Sequence, residues 1–311
     1  METQLIEPAQ AKINLFLHVT GKRDDGYHTL DSLVCFANIG DTLRARLRDD
    51  ATLTLAITGP MADALEDGSP KDNLVMRAAT LLQEKYGVTQ GADLILEKNL
   101  PVASGIGGGS ADAAAALRVL CKLWGLDDVP PADLADIALS LGADVPVCLT
   151  GGTVLMQGIG EEITPLSPLP GFSLVLVNPG KAVSTPAIFA ARDGDFTEAG
   201  SWPTDASFAD VTSLATALRD CRNDLTLPAI TLLPEICDVL DALARADGCL
   251  LARMSGSGAT CFGLYPNADQ AQAAATAIAQ ANPGWWVQAG KFAGSPAHGP
   301  LPASRQMPET A

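Results

Sequence analysis

Basic residues are scarce in this chain: 20 Lys and Arg face 36 Asp and Glu, for a net charge of −16. A nucleic-acid binder needs a basic face to neutralise phosphates, and no basic cluster here runs longer than Gly21–Arg23. That argues against a nucleic-acid partner. A mononucleotide needs no such face, because a few backbone N–H groups can hold its phosphates. Paired cysteines are missing too. The seven (Cys35, Cys121, Cys148, Cys221, Cys237, Cys249 and Cys261) are odd in number, scattered, and form no Cys-x-x-Cys. This argues against a disulfide framework or a zinc site and reads as free thiols in a reducing compartment. No apolar run reaches the roughly 18 residues of a membrane span. Met1–Gln10 is acidic and lacks the apolar core of a signal peptide. The expectation is a cytoplasmic protein with no membrane partner.

What is present is apolar mass. Hydrophobic residues are 47% and charged residues 18% of 311, enough to build two modest domains. Alternating apolar residues predict strands over Ala11–Thr20, Leu30–Ala37 and Asp41–Ile57, with a polar loop at Gly21–His28. A helix is expected over Asp72–Tyr86, capped by Asp72 or Asn73 and closed by Gly87. A short strand, Ala92–Leu96, precedes a glycine loop and an alanine-rich helix from Ser110 to about Leu123. Pro131 opens a helix that runs over Ala132–Leu141, and Gly151–Gly160 reads as a hinge or a hairpin. Phe172–Val177 is a buried strand, and Ala191–Asp210 a loop. Helices follow at Val211–Arg219 and Pro234–Ala246, then strands Leu251–Met254 and Thr260–Leu264 around a glycine turn. A helix, Ala268–Ala281, and a strand, Trp285–Ala289, close the fold before a Pro/Gly-rich tail from Gly294, which the composition reads as disordered. Strands cluster early and mix with helices later, which points to an α+β fold rather than a doubly wound sheet.

The glycine loop comprises Pro101, Val102, Ala103, Ser104, Gly105, Ile106, Gly107, Gly108, Gly109, Ser110 and Ala111. Glycine leaves no side chain between a phosphate and the backbone. The following helix adds unpaired N–H donors and a partial positive charge, which together make an anion site. A Walker loop would end in Gly-Lys-Ser/Thr, and the lysine is absent. A dinucleotide fingerprint would start directly after a strand and find an acid about 20 residues on. Here the polar segment Glu97–Ser104 intervenes. A plain linker before a helix is the structural alternative.

Two charged residues stand out. Asp144 in Gly142-Ala-Asp-Val-Pro146 reads either as a helix cap or as a base. Lys12 lies in an apolar alternation that puts it on one face with Asn14, either on a solvated edge or in a site. Tyr27-His28 sits in the loop beyond.

These pieces together resemble the GHMP kinase superfamily, whose members include galactokinase, homoserine kinase and mevalonate kinase. The loop Pro101–Ala111 is similar to its central phosphate motif, and Met254-Ser-Gly-Ser-Gly258-Ala to its C-terminal glycine motif. Within it, the segment from Ala11 to Gly26-Tyr-His28 resembles one branch that acts on a cytidine diphosphate-linked polyol in the non-mevalonate route to isoprenoid precursors. Leu141–Pro146, Gly158–Glu161, Asn178–Gly180 and Asn223–Leu225 resemble that branch as well, and the likeness spans about residues 9–298.

The resemblance implies a two-domain GHMP architecture with the active site in the interdomain cleft. An ATP-binding domain would cover 1–153, rejoined by the C-terminal strand and tail at about 284–311, and a substrate domain would cover 154–283. It implies phosphorylation of an alcohol by ATP and Mg2+, with Asp144 as base and Lys12 beside it. The glycine loop, Asn73 and Lys98 would hold ATP. Asn14, Tyr27, His28, Thr185, Pro186 and Phe189 would meet the small-molecule substrate. Ile106 and Ala111 depart from the usual leucine and serine, so Ser110 is the hydroxyl left for a metal. The assembly would be a monomer or homodimer. Another small-molecule kinase of the superfamily and a non-catalytic nucleotide-binding module are the alternatives.

Overall fold

The computed structural model describes residues 4–65, 72–200 and 202–294, so the tail beyond Gly294 lies outside the described residues. Two sheets organise the chain. The first is seven-stranded, built from β1 (Gln4–Asn14), β2 (His18–Lys22), β3 (His28–Arg48), β4 (Leu53–Thr58), β5 (Gly91–Glu97), β6 (Val154–Gly158) and β7 (Glu162–Pro165). Four helices belong to this half: α1 (Leu74–Tyr86), α2 (Gly108–Leu123), α3 (Pro131–Leu141) and α4 (Val145–Thr150). The second sheet runs in the order β11 (Trp286–Lys291), β8 (Ser173–Asn178), β10 (Cys261–Tyr265) and β9 (Leu251–Met254). Around it lie α5 (Thr185–Ala190), α6 (Val211–Leu218), α7 (Thr226–Leu232), α8 (Glu235–Arg245) and α9 (Ala268–Ala281).

The strands expected at Leu30–Ala37 and from Asp41 onward fuse into β3, which is 21 residues long. Gly40 makes this continuity possible. A Cβ there would lie 2.3 Å from the Ala9 carbonyl oxygen, so only glycine lets β3 run this close to β1. The strand ends where Asp50 accepts the Thr52 N–H at 3.0 Å, a local turn that competes with the ladder. The register of β1 on β3 shifts between Gln10 and Lys12. Such a bulge bends a strand and re-aims its side chains, and this one lies immediately before Lys12.

Three apolar clusters fill the molecule. One lies between the first sheet and α1–α4, and one under α8 and α9. The third joins Ile13, Leu15 and Phe16 of the first half to Leu174, Leu176, Phe262 and Leu264 of the second. Helix α2 is buried on nearly every side, with Ala113–Ala116 wholly inaccessible. Alanine lets it approach β1 closely without a side-chain entropy cost.

Two expectations about the halves need correction. Gly151–Gly160 forms the start of a hairpin in which β6 pairs with both β3 and β7, so the first sheet extends to Pro165 rather than closing at residue 153. The final strand does not enter the first sheet. β11 pairs antiparallel with β8, because its Val287 and Ala289 pack into the cluster under α9. Its Trp286 Nε1 donates to the Asn99 carbonyl at 3.1 Å and its Lys291 N–H to Asn38 Oδ1 at 2.7 Å, and Phe292 and Ala293, just beyond it, also reach back. Phe292 bridges Ala37, and the Ala293 N–H donates to the Phe36 carbonyl at 2.8 Å. Helices α5 and α7 were not expected. Each carries a proline in its first turns, Pro186 and Pro228, a position that proline tolerates although it reads as a breaker in sequence.

Candidate active site

Lys12 and Asp144 meet. Lys12 Nζ lies 2.7 Å from Asp144 Oδ2, with the lysine 4% and the aspartate 40% exposed. Asp144 occupies the N-cap position of α4, yet its side chain makes no capping bond. Pro146 sits in the first turn of that helix and removes an N–H that a capping carboxylate would take. The carboxylate is left to Lys12 and to solvent. A buried ammonium with an accessible carboxylate is a suitable pair for taking a proton from an incoming hydroxyl and neutralising phosphate charge.

The glycine loop runs beside this pair. The Lys12 N–H donates to the Ile106 carbonyl at 2.9 Å, which ties β1 to the loop. Gly107 starts α2 with φ +65°, and a Cβ on it would sit 3.2 Å from Lys12 Cβ. The first-turn N–H groups of α2 therefore open next to the lysine.

The second glycine motif completes the loop from the other half. The Thr260 N–H donates to the Ser104 carbonyl at 3.1 Å. Ser255 Oγ donates to the Gly105 carbonyl at 3.2 Å and accepts the Asn14 N–H at 3.1 Å. Gly105, at φ +77°, has no room for a Cβ, which would fall 2.5 Å from the Gly258 nitrogen and the Ser255 carbonyl oxygen. Asn223 Nδ2 donates to the Met254 and Gly256 carbonyls, each at 2.8 Å, and so braces the second motif from behind.

Other expected residues fall in different places. Ser104 Oγ donates to the Pro101 carbonyl at 2.6 Å, closing the loop on itself. Ile106 is buried in the central cluster and Ala111 in the cluster under the first sheet. The methyl of Ala111 is thus packed in the core. Asn73 caps α1, its side chain accepting the Val75 N–H at 2.9 Å. Leu74, the next residue, borders the loop, with Cδ1 3.6 Å from where a Gly109 Cβ would be.

Lys98 does not face open space: Nζ is buried between Asp41 at 2.5 Å and Asp112 at 2.7 Å. Burial alone would lower the pKa of this lysine, but the two carboxylates outweigh it and raise it. Burial pushes the Asp112 carboxyl above its usual range, with Lys98 opposing and Asp41 reinforcing that rise. The triad sits under the phosphate loop, Nζ being 3.6 Å from where a Gly108 Cβ would be. Its ammonium is thus held by two carboxylates directly beneath the loop. Asp41 also accepts the Leu100 N–H at 2.9 Å. Asn14 is wholly buried; its Nδ2 donates to Ser32 Oγ at 2.8 Å, and its Oδ1 is left without a hydrogen-bond partner.

The remaining five expected residues gather across the two halves. His28 stacks on Phe189, with ring centroids 4.9 Å apart and planes at 21°. Tyr27, beside it in sequence, is 60% exposed. Thr185 Oγ1 is 2.8 Å from Ser257 Oγ, which joins the start of α5 to the second glycine motif, with Pro186 next in the helix. Burial, with Lys22 and Arg192 nearby, holds the His28 imidazole below its usual pKa, so it is neutral at pH 7.

Residues 73–152 match the family described as GHMP kinases N terminal domain, and residues 207–284 match GHMP kinases C terminal. The chain belongs to the GHMP kinases, a family of ATP-dependent small-molecule kinases. It is 55% identical over 280 residues to the 4-diphosphocytidyl-2-C-methyl-D-erythritol kinase of Paramagnetospirillum magneticum, covering 90% of this chain and 95% of that one. It is 54% identical over 291 residues to the enzyme of the same name from Parvibaculum lavamentivorans, covering 93% and 98%. Within the superfamily it is a member of this 4-diphosphocytidyl-2-C-methyl-D-erythritol kinase branch. A crystal structure of 4-(cytidine 5'-diphospho)-2C-methyl-D-erythritol kinase superposes with a TM-score of 0.77 at 33% identity, covering 94% of this chain and all (100%) of that one. The homoserine kinase of Cytophaga hutchinsonii shares the fold at a TM-score of 0.65 and 20% identity, covering 94% and 96%.

Sequence reasoning missed Asp41, Asp112 and Ser255. A signal was available for one of them, since Asp112 is the only charge in the apolar run Ala111–Leu117, and a lone carboxylate on a buried helix demands a partner.

Proposed function

We propose that this protein transfers the γ-phosphate of ATP to the 2-hydroxyl of 4-diphosphocytidyl-2-C-methyl-D-erythritol. The observation that carries the reading is the Lys12–Asp144 pair at 2.7 Å, placed against the first turn of α2 by the Lys12–Ile106 backbone bond. Asp144 accepts the hydroxyl proton. The freed oxygen forms a bond to the γ-phosphorus, the bond from that phosphorus to the bridging oxygen breaks, and ADP leaves. Such a transfer needs in-line positioning and charge neutralisation more than covalent help. Lys12 and the N–H groups at the start of α2 supply the neutralisation on the protein's side. Mg2+ bound to a nucleotide keeps phosphate and water ligands and needs only one or two side chains. Ser110, in the first turn of α2, and the accessible Asp144 fit that demand, and the ion would neutralise phosphate charge.

The half built on the first sheet is the nucleotide side, and the half built on the second closes over it and contributes Thr185, Pro186 and Phe189 to the acceptor. Tyr27, His28 and Phe189 supply flat surfaces and a neutral imidazole for a cytosine ring. The large identity to kinases named for this substrate supports the choice of acceptor. A cytoplasmic location is part of the reading. It accords with seven cysteines that are all free, and among the described residues no helix is long and apolar enough to cross a membrane.

The test is an ADP-release assay with ATP and Mg2+ on four alcohols: diphosphocytidyl-methylerythritol, mevalonate, homoserine and galactose. Turnover on the first alone, with phosphorus NMR placing the new phosphate on the 2-hydroxyl, is expected. Turnover on another alcohol instead would overturn the acceptor, and ATP binding without turnover on any would overturn the kinase reading.

A further inference from the structure

Arg118, two-thirds of the way along α2, touches neither the loop nor the Lys12–Asp144 pair. Roughly 15 Å of helix, at 1.5 Å per residue, separates it from the start of α2. Each of its guanidinium nitrogens serves a different acceptor. Nε donates to Glu7 Oε1 at 2.7 Å, Nη2 to the Pro8 carbonyl at 3.2 Å, and Nη1 to the Cys148 carbonyl at 3.0 Å. Glu7 and Pro8 lie on β1, the strand that carries Lys12. Cys148 lies on α4, one helical turn from Asp144, whose carbonyl accepts the Cys148 N–H at 3.2 Å. One side chain thus joins the three elements that supply the lysine, the aspartate and the phosphate loop.

The arrangement matters because α4 is only six residues long. A helix that short has no stability of its own, so its orientation is set by outside contacts. Three of its carbonyls are taken: Pro146 by Thr150 Oγ1 at 3.0 Å, Val147 by the Gly151 N–H at 3.0 Å, and Cys148 by Arg118. Only the last of these ties α4 to another element. Both α4 and β1 pack on α2 and scarcely on each other among the described residues. Helix α3 also packs on α4, but of these two helices α2 is the one that packs on β1 as well, so the placement of Asp144 relative to Lys12 runs through α2. The buried Glu7 carboxylate, also held by Lys122 Nζ at 2.9 Å, fixes the guanidinium in turn.

We infer that Arg118 is a positioning residue for phosphoryl transfer, setting the distance and aim of the Lys12–Asp144 pair by clamping α4 against β1 from α2. This rests on the reading of Asp144 as the base. A planar fork with three anchored nitrogens does what a lysine ammonium on one flexible stem cannot, and a displacement of about 1 Å at a reacting centre costs about 100-fold in rate.

The experiment uses the full chain with ATP, Mg2+ and diphosphocytidyl-methylerythritol, and compares Arg118→Lys, Arg118→Gln, Arg48→Gln and Asp144→Asn for kcat, both KM values and melting temperature. Arg118→Lys is expected to lower kcat by about 10- to 100-fold while both KM values stay within about twofold and the melting temperature stays near that of the unsubstituted protein. Arg118→Gln should lower kcat at least as far. Arg48→Gln removes an equally well-bonded guanidinium, held by Asp50 and Asp93 on the first sheet, and should leave kcat unchanged. A merely structural Arg118 would lower the melting temperature and leave kcat per folded molecule intact. That result, or an unchanged kcat in Arg118→Lys, overturns the proposal. Should Arg118→Gln fail to fold, Arg118→Lys decides alone. Loss of turnover in Asp144→Asn with full kcat in Arg118→Lys overturns only the clamp. Full turnover in Asp144→Asn overturns the base and the clamp together.

Discussion

The glycine-loop side of the candidate site, the proposed phosphate side, and the Tyr27–Phe189 side, the proposed acceptor side, are built by opposite means. On the phosphate side nearly every group is buried and spoken for: Lys98 lies between two carboxylates, Gly105 is pressed against Ser255 and Gly258, and the Lys12 N–H is bonded to the loop. On the acceptor side Tyr27 stands exposed, and His28 has one face on Phe189. Charge developing on a transferred phosphoryl group is best met by dipoles that need no reorganisation, which calls for a rigid, buried frame. A base ring can be gripped by a few aromatic faces that move to meet it. The difference teaches that damage on the two sides should register in different quantities: rate and stability on one, substrate affinity on the other.

The sharpest break is at Asp144. Asp144→Asn should lower kcat by about 100- to 10,000-fold, the usual worth of a general base, with KM for the cytidine substrate nearly unchanged. Steady-state kinetics by coupled ADP release read this directly, and near-normal turnover would remove Asp144 from the mechanism. Next is Lys98→Met, which strands Asp41 and Asp112 in the interior. Breaking a buried pair costs about 3–5 kcal/mol, and urea unfolding should show a loss of that order. A loss below about 1 kcal/mol would mean the triad is not a buried ion cluster.

Tyr27→Ala lies on the other side of the comparison. It should raise KM for the cytidine substrate by an amount worth about 1–3 kcal/mol, the value of one aromatic stack on a base, and leave the melting temperature alone because the ring is exposed. An unchanged KM would leave Tyr27 without a role in recognition. The smallest effect concerns pH. The His28 pKa is lowered from 6.5, so the folded protein favours the neutral ring and pays for that preference only as pH falls below 6.5. KM for the cytidine substrate should be flat from about pH 8 down to about 6.5 and rise below, and His28→Gln should abolish the rise. A KM already climbing between pH 8 and 7 would contradict a lowered pKa.

Legibility in the sequence follows the same divide. The glycine loop, the Lys12 strand and the Tyr27-His28 pair are local patterns, and each could be read from neighbours in the chain. Asp144 was legible as a residue but not as a choice between cap and base. Pro146 removes one of the two N–H groups a cap could use, and the structure leaves the Asp144 carboxylate uncapped and paired with Lys12. The burial of Lys98 and Asn14 was not legible, because motif position says nothing of burial. Their partners Asp41, Asp112 and Ser32 come from distant segments, and a single sequence carries no record of such meetings. The long β3 was misread for the same reason, since the backbone that Gly40 must pass belongs to β1. The placement of β11 turned on packing under α9, which alternation along a strand does not reveal.

The contact between the two glycine motifs has a consequence for how this protein is born. Ser255 grips the Gly105 carbonyl across 150 residues of chain. A ribosome adding about 5–20 residues per second needs on the order of 8–30 s to travel that distance. During that interval the first sheet and the start of α2 can already be made, but the loop lacks the strand of backbone that holds its shape. The growing chain should therefore acquire its grip on ATP late and abruptly, when the stretch around Ser255–Thr260 clears the exit tunnel. A fragment that stops short of it would be translated in full view of cellular ATP and still pass none of its phosphate to an alcohol.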